Sequence, residues 1–264
     1  MPANEIRVVR LDFLGALRVT GADADVFLQG QLSNDIRKLT PELGQLSSYN
    51  SPKGRMLAAL HLQRDALGIC IELHRSVLES VQKRLRMFVL RSKVAFSPES
   101  EPALGVMGTG AAVFLRDRGL PVPETPLACA TANGMTVMRR IGAAPRFSIQ
   151  GAVGWTINGI EDDWKRADIE AGVPTIYPQT QDHFVPQWCN LDQLGGISFD
   201  KGCYTGQEIV ARIHYLGEVK RRMKAIRTAD CAGLTAGAQT EHGEIVDVMT
   251  VPEGGCLSLV VQRS

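Results

Sequence analysis

The order of strand-like and helix-like segments constrains the fold of this sequence more than any other feature. Near the start, "ALRVTG" (16–21) is typical of a strand, and "ADADVFLQG" (22–30) of a short helix that Gly30 ends. The apolar runs "MLAALHLQ" (56–63) and "GICIEL" (68–73) predict a hairpin of buried strands. Val77, Val81, Leu85 and Phe88 recur every three or four residues and predict an amphipathic helix over 75–90.

A second unit of the same kind follows the polar, proline-containing segment "SPESEP" (97–102). It contains "ALGVMG", a helical "GAAVFLRDRG" and "MTVMRRIG", so we predict two α+β halves with a boundary near 97–102. From about Gly217 onward, short strand-like runs alternate with glycine-rich turns and show no helical period. We therefore predict a domain over 1–216 and a small all-β domain over 217–264, which is too short to bury much surface alone and should pack against the larger one.

Composition narrows the class of protein. The net charge of +1 gives no overall attraction to nucleic acid or anionic lipid. No apolar run approaches the roughly 20 residues that span a bilayer, and the N-terminal residues lack a signal-peptide pattern. We expect a cytoplasmic protein whose six cysteines are mostly reduced. The cysteines form no C-x-x-C pair and no close Cys/His cluster, so no preformed metal site is expected.

The segment "FDKGCYTGQEIVAR" (199–212) places a thiol just before a predicted helix. Thr205 and Glu208 have the spacing of a capping box, which would start the helix near Gly206. The positive end of the helix dipole, with Lys201 close in sequence, would then favour the thiolate of Cys203 as a nucleophile or metal ligand. The alternative is that the glycines shape a turn and Cys203 is a small buried filler.

A second helix is predicted within "NGIEDDWKRADIEAGVP" (158–174), with an acidic first turn and Gly172 and Pro174 as its stop signal. Glu170 lies in its last turn, where a carboxylate opposes the helix dipole. It could accept hydrogen bonds from an N–H-rich heterocycle, and Trp164 could provide a flat stacking surface for that ring. The alternatives are a solvated surface acid and a tryptophan that packs in the core.

Several stretches together resemble the YgfZ family of folate-binding proteins, which are relatives of the aminomethyltransferase (T-protein) of the glycine cleavage system. They are "FLQGQLSNDI", "SPKGRML", "RADIEAGVPTI" and "FVPQWCNLDQLGGISFDKGCYTGQEIVAR", with "KGCYTGQE" as the family's signature. The resemblance covers most of residues 10–225. It implies a T-protein-like α+β body of two halves followed by a small C-terminal β-barrel.

The resemblance also implies a function: binding of tetrahydrofolate or a derivative, and support of the assembly or repair of iron–sulfur enzymes, including those that modify tRNA. Cys203 would be the functional thiol, with Lys201 beside it. The residues expected to hold the cofactor are Trp164, Glu170, Asn34, Tyr204, Gln207, Glu208 and Arg212. The implied partners are a folate and, transiently, iron–sulfur enzymes or their assembly factors.

One departure from the T-protein pattern bears on catalysis. T-proteins carry a pair of aspartates where this chain has Ala58 and Ala59, and an alanine cannot accept a proton. We therefore expect an accessory protein rather than a classical enzyme, with a folate-dependent aminomethyl or one-carbon transferase as the alternative. Direct RNA binding through "VKRRMKAIR" (219–227), or through Lys83, Arg84 and Arg86, is a third hypothesis that the sequence favours less, because such runs are commonly solvated faces.

Overall fold

The structure, a computed structural model, describes residues 5–151 and 154–263. Its strands and helices, in chain order, are β1 (Arg7–Arg10), β2 (Leu14–Thr20), α1 (Ala24–Gln29), β3 (Gln45–Asn50), β4 (Met56–Asp65), β5 (Gly68–His74), α2 (Arg75–Met87), β6 (Ala95–Pro98), β7 (Leu104–Met107), α3 (Ala111–Arg116), β8 (Cys129–Ala132), β9 (Met135–Arg139), β10 (Arg146–Gln150), α4 (Glu161–Glu170), α5 (Gln207–Leu216), β11 (Arg221–Thr228), β12 (Gln239–Thr240), β13 (Gly243–Thr250) and β14 (Cys256–Arg263). Short 3₁₀ helices cover Ile36–Lys38, Pro178–Thr180 and Pro186–Cys189.

The first half contains an antiparallel sheet with the order β3-β4-β5-β2-β6. The predicted hairpin is confirmed as β4 and β5, which pair from His61 opposite Glu72 to Asp65 opposite Gly68. The predicted helix over 75–90 is confirmed as α2, which buries Val77, Val81 and Leu85 in the same core as the sheet.

The second half has its own sheet, with the order β1-β7-β10-β9-β8. Its first strand comes from the N-terminus, since β1 pairs with β7 from Arg7 opposite Met107 to Arg10 opposite Leu104. The chain passes from one sheet to the other between β6 and β7, and β1 pairs in the sheet of the second half. The boundary near 97–102 stays a prediction. Helix α4 packs on this sheet through Trp164, which shares a core cluster with Val9, Leu11 and Ala103.

The C-terminal segment forms a sheet with the order β11-β14-β13-β12, as its strand-like runs predict. Val246 and Leu259 from this sheet share a core with Ile169 and Phe184 of the preceding body. The division of the chain into domains at 216/217 stays a prediction. Cys231 and Cys256 form a disulfide in this sheet, which the spacing of the cysteines does not indicate. The other four cysteines are free, as expected.

None of the helices in residues 5–151 and 154–263 combines the length and the apolar character that crossing a bilayer requires. Within the same ranges, no three or more His, Cys, Asp or Glu residues are grouped so that they could hold a metal ion.

Candidate functional site

A small cavity lies where the first sheet, the second half and α4 meet. Its lining includes Ala59 and His61 from β4, Glu72 from β5, Arg140 just after β9, and Asp168 from α4. The free volume is about 30 Å³, which is room for water rather than for a drug-sized ligand. The charged groups of both halves therefore converge on one enclosed space.

Arg140 connects the two halves at this cavity. Its Nη2 donates to Glu72 Oε1 at 2.6 Å and lies 3.2 Å from His61 Nδ1. Burial, reinforced by the charges of Arg140 and Arg146, holds the pKa of His61 well below its ordinary value of 6.5. The imidazole is therefore neutral, and its Nδ1 can accept from the guanidinium.

A second ion pair lies beside the first. Arg146 Nη2 is 2.7 Å from Asp168 Oδ1, although burial lowers the pKa of this arginine. The indole of Trp164 lies against both guanidinium groups, with its ring centroid 5.1 Å from the Arg146 carbon Cζ and 5.9 Å from that of Arg140. Gly105 makes room for this indole, because a Cβ there would be 2.5 Å from its ring carbons.

Three N–H donors in this cluster find no acceptor among the residues that the structure describes. They are Nε of Arg140, Nη1 of Arg146 and Nε1 of Trp164, and the three side chains are 2%, 2% and 0% exposed. A buried donor without a partner costs about 1–3 kcal/mol. The cluster is therefore suited to a bound molecule that carries hydrogen-bond acceptors.

The structure corrects the predicted role of Trp164. Its indole is fully buried among Val9, Leu11 and Ala103 and the two arginines, so it presents no open face on which a ring could stack. The core-packing alternative describes its surroundings, and its Nε1 has no hydrogen-bond partner among the described residues.

The structure also corrects the role predicted for Glu170. Its side chain is 49% exposed, bonds Arg166 Nε at 2.9 Å and lies 3.9 Å from Arg227. The carboxylate that α4 contributes to the cavity is Asp168, which sequence reasoning missed. The signal was present, because Asp168 follows Trp164 by four residues and so shares its face of the helix.

The signature segment lies elsewhere, against the loop that precedes β3. Cys203 is exposed, whereas the other free thiols, Cys70, Cys129 and Cys189, are buried. Lys201 does not activate Cys203, because its Nζ is buried and donates to the carbonyl oxygens of Leu32 at 2.7 Å and Asn34 at 2.8 Å. Burial lowers the pKa of Lys201 to about 8. Lys201 therefore connects the signature segment to the loop that precedes β3.

Asn34 has a structural role in the same junction. Its Nδ2 donates to the carbonyl oxygens of Leu46 and Gly195, each at 2.8 Å, and its Oδ1 accepts from the backbone of Asp35 at 2.9 Å. Both the Nδ2 and the Oδ1 of Asn34 are thus hydrogen-bonded within the protein. These bonds do not support the expectation that Asn34 holds a cofactor.

The predicted capping box at Thr205 and Glu208 is wrong. Gly206 is the N-cap, with a φ of +79° and no side-chain cap. A Cβ on Gly206 would be 2.4 Å from the carbonyl oxygen of Ser51, so this position needs glycine for both its conformation and its neighbour. Gln207 reaches back instead, and its Oε1 accepts from the backbone of Tyr204 at 3.3 Å.

The remaining predicted residues complete this second region. Tyr204 is buried, and burial raises its pKa, whereas Glu208 and Arg212 are exposed on α5. No residue of 199–212 lines the cavity of Asp168. The structure therefore places the predicted residues in two regions, a buried polar cavity and a loop junction with an exposed thiol, rather than in one slot.

Comparisons with known proteins agree with this fold. No protein-family model matches the chain. The tRNA-modifying protein YgfZ of Escherichia coli O7:K1 is 34% identical over 231 residues, which is 83% of this chain and 71% of that protein. The crystal structure of the glycine cleavage system aminomethyltransferase T from Bartonella henselae covers 98% of this chain with a TM-score of 0.71.

That structure is only 14% identical and is covered to 79% of its own length, so it bears on the fold alone. It confirms the α+β class with T-protein-like halves, and the curled C-terminal sheet is consistent with the small barrel. The identity and coverage of the Escherichia coli protein confirm the resemblance in the sequence: the chain belongs to the YgfZ family.

Proposed function

We propose that this protein binds tetrahydrofolate or a related reduced folate in the cavity between the two halves. In that state it supports the assembly or repair of iron–sulfur enzymes, including enzymes that modify tRNA. The printed name of the Escherichia coli relative, a tRNA-modifying protein, and the aminomethyltransferase fold support this proposal.

The observation that carries the ligand proposal is the buried N–H donor without an acceptor on Arg140, which lines the cavity; Arg146 and Trp164, next to it but outside the lining, each carry another such donor. A reduced pterin has a carbonyl oxygen and ring nitrogens that could accept from these groups. Its own N–H groups could bond Asp168 and Glu72, whose carboxylates lie at the same cavity. The polar groups therefore fit such a ring, and the free volume of about 30 Å³ means that side chains must move apart to admit it.

The cavity favours binding over group transfer. Ala59 lines it where the T-protein pattern has an aspartate, and Ala58 is fully buried. The carboxylates that are present are each paired with an arginine, Glu72 with Arg140 and Asp168 with Arg146. Both carboxylates are thus engaged by guanidinium groups and are placed to hold a ligand, which supports binding over the transferase alternative.

The exposed thiol of Cys203 is available to a second protein in a way that the buried thiols are not. We propose that it contacts client enzymes or assembly factors transiently, as a nucleophile, a redox thiol or a passing metal ligand. Its separation from the cavity lining makes the two roles independently testable.

Titration calorimetry with tetrahydrofolate tests the ligand proposal. Asp168→Asn should weaken binding by about tenfold or more, since a hydrogen bond to a charged group contributes about 1.5–3 kcal/mol. Glu170→Gln, two residues along the same helix, is the matched control and should bind as the parent does. The proposal fails if the parent shows no binding, or if Glu170→Gln weakens it and Asp168→Asn does not.

Complementation with Cys203→Ala tests the second role. We expect loss of iron–sulfur-dependent tRNA thiolation while tetrahydrofolate binding stays at the parent level. Normal tRNA thiolation in cells that carry Cys203→Ala would show that the Cys203 thiol has no role in this function.

A further inference from the structure

The end of α2 and the loop after it carry one of the two concentrated runs of basic residues in the chain. Residues 83–93, "KRLRMFVLRSK", contain five basic residues and no acidic one, whereas the whole chain has 29 basic and 28 acidic residues. We call Lys83, Arg84, Arg86, Arg91 and Lys93 the basic patch. A concentration of one sign within an otherwise balanced chain creates a local field that favours a polyanion.

The ammonium and guanidinium groups of Lys83, Arg91 and Lys93 are exposed and form no ion pair within residues 5–151 and 154–263. Asp23 approaches the backbone rather than the ammonium group of Lys93, since its Oδ2 accepts from the Lys93 N–H at 2.7 Å. Arg86 is held by the carbonyl oxygen of Phe96 at 3.0 Å. Three cations of the basic patch are thus uncompensated.

The other basic run, 219–227, differs in this respect, although the sequence does not distinguish the two. Arg222 Nη1 bonds Asp192 at 2.6 Å, and Arg227 lies 3.9 Å from Glu170. Arg221 packs over the ring of Trp188, 4.9 Å from its centroid. Two arginines of that run lie near acids, whereas no cation of the basic patch forms an ion pair within residues 5–151 and 154–263.

The apolar residues around the basic patch indicate which polyanion it suits. Met87, Phe88 and Leu90 are 66%, 40% and 89% exposed. They lie in one four-residue run between Arg86 and Arg91, while the apolar face of α2 is buried in the core, so the exposed apolar surface is confined to this short run and is smaller than the face of a helix that lies in a lipid surface. Phe88 offers a ring on which a base can stack, with Arg84 over it at 5.9 Å.

We propose that the basic patch binds the phosphate backbone of a structured RNA, with Phe88 against an unpaired base. The choice of RNA as the partner rests on the proposed function, in which the clients modify tRNA, and it takes up the hypothesis of direct RNA binding that the sequence alone favours less. Phosphate contacts position such an RNA without reading its sequence. The protein therefore brings RNA and client together rather than selecting one tRNA.

Fluorescence anisotropy with a labelled tRNA transcript, measured over a range of salt concentrations, tests the proposal. The triple variant Lys83→Ala/Arg91→Ala/Lys93→Ala removes about three phosphate contacts. It should lower the slope of log affinity against log salt by about two to three and weaken binding about 100-fold at 0.1 M salt. Phe88→Ala should weaken binding at every salt concentration and leave the slope unchanged.

The matched control is Lys38→Ala/Lys220→Ala/Lys224→Ala, which removes the same charge from exposed positions elsewhere. It should bind tRNA within about threefold of the parent. Equal losses in both triple variants, no tRNA binding by the parent, or equally tight binding of phosphatidylglycerol vesicles that displace the tRNA would each overturn the proposal. Tetrahydrofolate calorimetry on the patch variant should give the parent affinity, so a failure here is distinguishable from a failure of the proposed function.

Discussion

Asp247→Asn should stabilise the protein at neutral and alkaline pH. Asp247 lies on β13 at a register shift, is 4% exposed, and accepts from the hydroxyl of Tyr177 and the backbone of Val248, each at 2.8 Å. Burial raises its pKa from 3.8 to about 6. The folded protein therefore holds a proton at this site over a pH range in which the unfolded chain has released it.

The sign and size of the effect follow from that shift. Because the folded-state pKa is above the unfolded one, the contribution of Asp247 to stability is most favourable below about pH 4 and declines until the pH passes about 6. About two pKa units correspond to about 3 kcal/mol. Asparagine keeps an oxygen that can accept from Tyr177 and Val248. Its amide N–H groups are buried without a partner, which reduces the gain by about 1 kcal/mol. The expected gain is thus about 2 kcal/mol at pH 8, whereas at pH 4 only the cost of the buried amide N–H groups remains and the variant should be less stable by about 1 kcal/mol.

Urea denaturation at pH 4, 6 and 8, with the disulfide oxidised in all samples, measures this difference. Asp230→Asn is the control, because Asp230 is an exposed acid on the same C-terminal segment and its replacement should leave the pH dependence unchanged. A variant equally stable to the parent at pH 8, or a gain that grows toward pH 4, would refute the reasoning.

Three further predictions concern buried groups and the thiol. Trp164→Ala should lower the free energy of unfolding by about 3–5 kcal/mol, because it empties a fully buried site; a loss below about 1 kcal/mol in chemical denaturation would contradict the packing described. Gly206→Ala should destabilise by more than 1 kcal/mol, through its φ of +79° and the contact with Ser51, and an unchanged melting temperature would argue against that loop geometry. A thiol reagent should modify one cysteine rapidly in the native protein and none in Cys203→Ala, whereas rapid modification of a second thiol would contradict the burial of Cys70, Cys129 and Cys189.

The sequence predicts those helices and strands whose pattern of apolar residues is set by positions close together in the chain. The hairpin of β4 and β5, the amphipathic α2 and the strands after Gly217 all follow from local periodicity, and all are present. Trp164 and Ile169 are buried in α4, which lies within the predicted segment 158–174.

The residues that the sequence misassigns depend on distant partners. The spacing of Asp168 from Trp164 places it on the buried face of α4, but its counter-ion Arg146 comes from a strand of the second sheet, which the sequence of α4 does not show. Gly206 replaces the capping box because the Ser51 loop packs against it from 155 residues away along the chain. The ammonium group of Lys201 donates to carbonyl groups of the loop before β3 rather than to the Cys203 thiol. These ion-pair, capping and hydrogen-bond partners are set by contacts between distant parts of the chain, which a sequence pattern does not show.

The central claim is that a reduced folate occupies the cavity beside Trp164. Labelling with 5-fluorotryptophan gives one ¹⁹F resonance for each of the three tryptophans, assigned through Trp→Phe variants. Saturation with tetrahydrofolate should shift the Trp164 resonance, whose Nε1 gains an acceptor, more than that of Trp188, whose ring lies against Arg55 and Arg221. Saturable binding that moves Trp188 but not Trp164 would contradict the account.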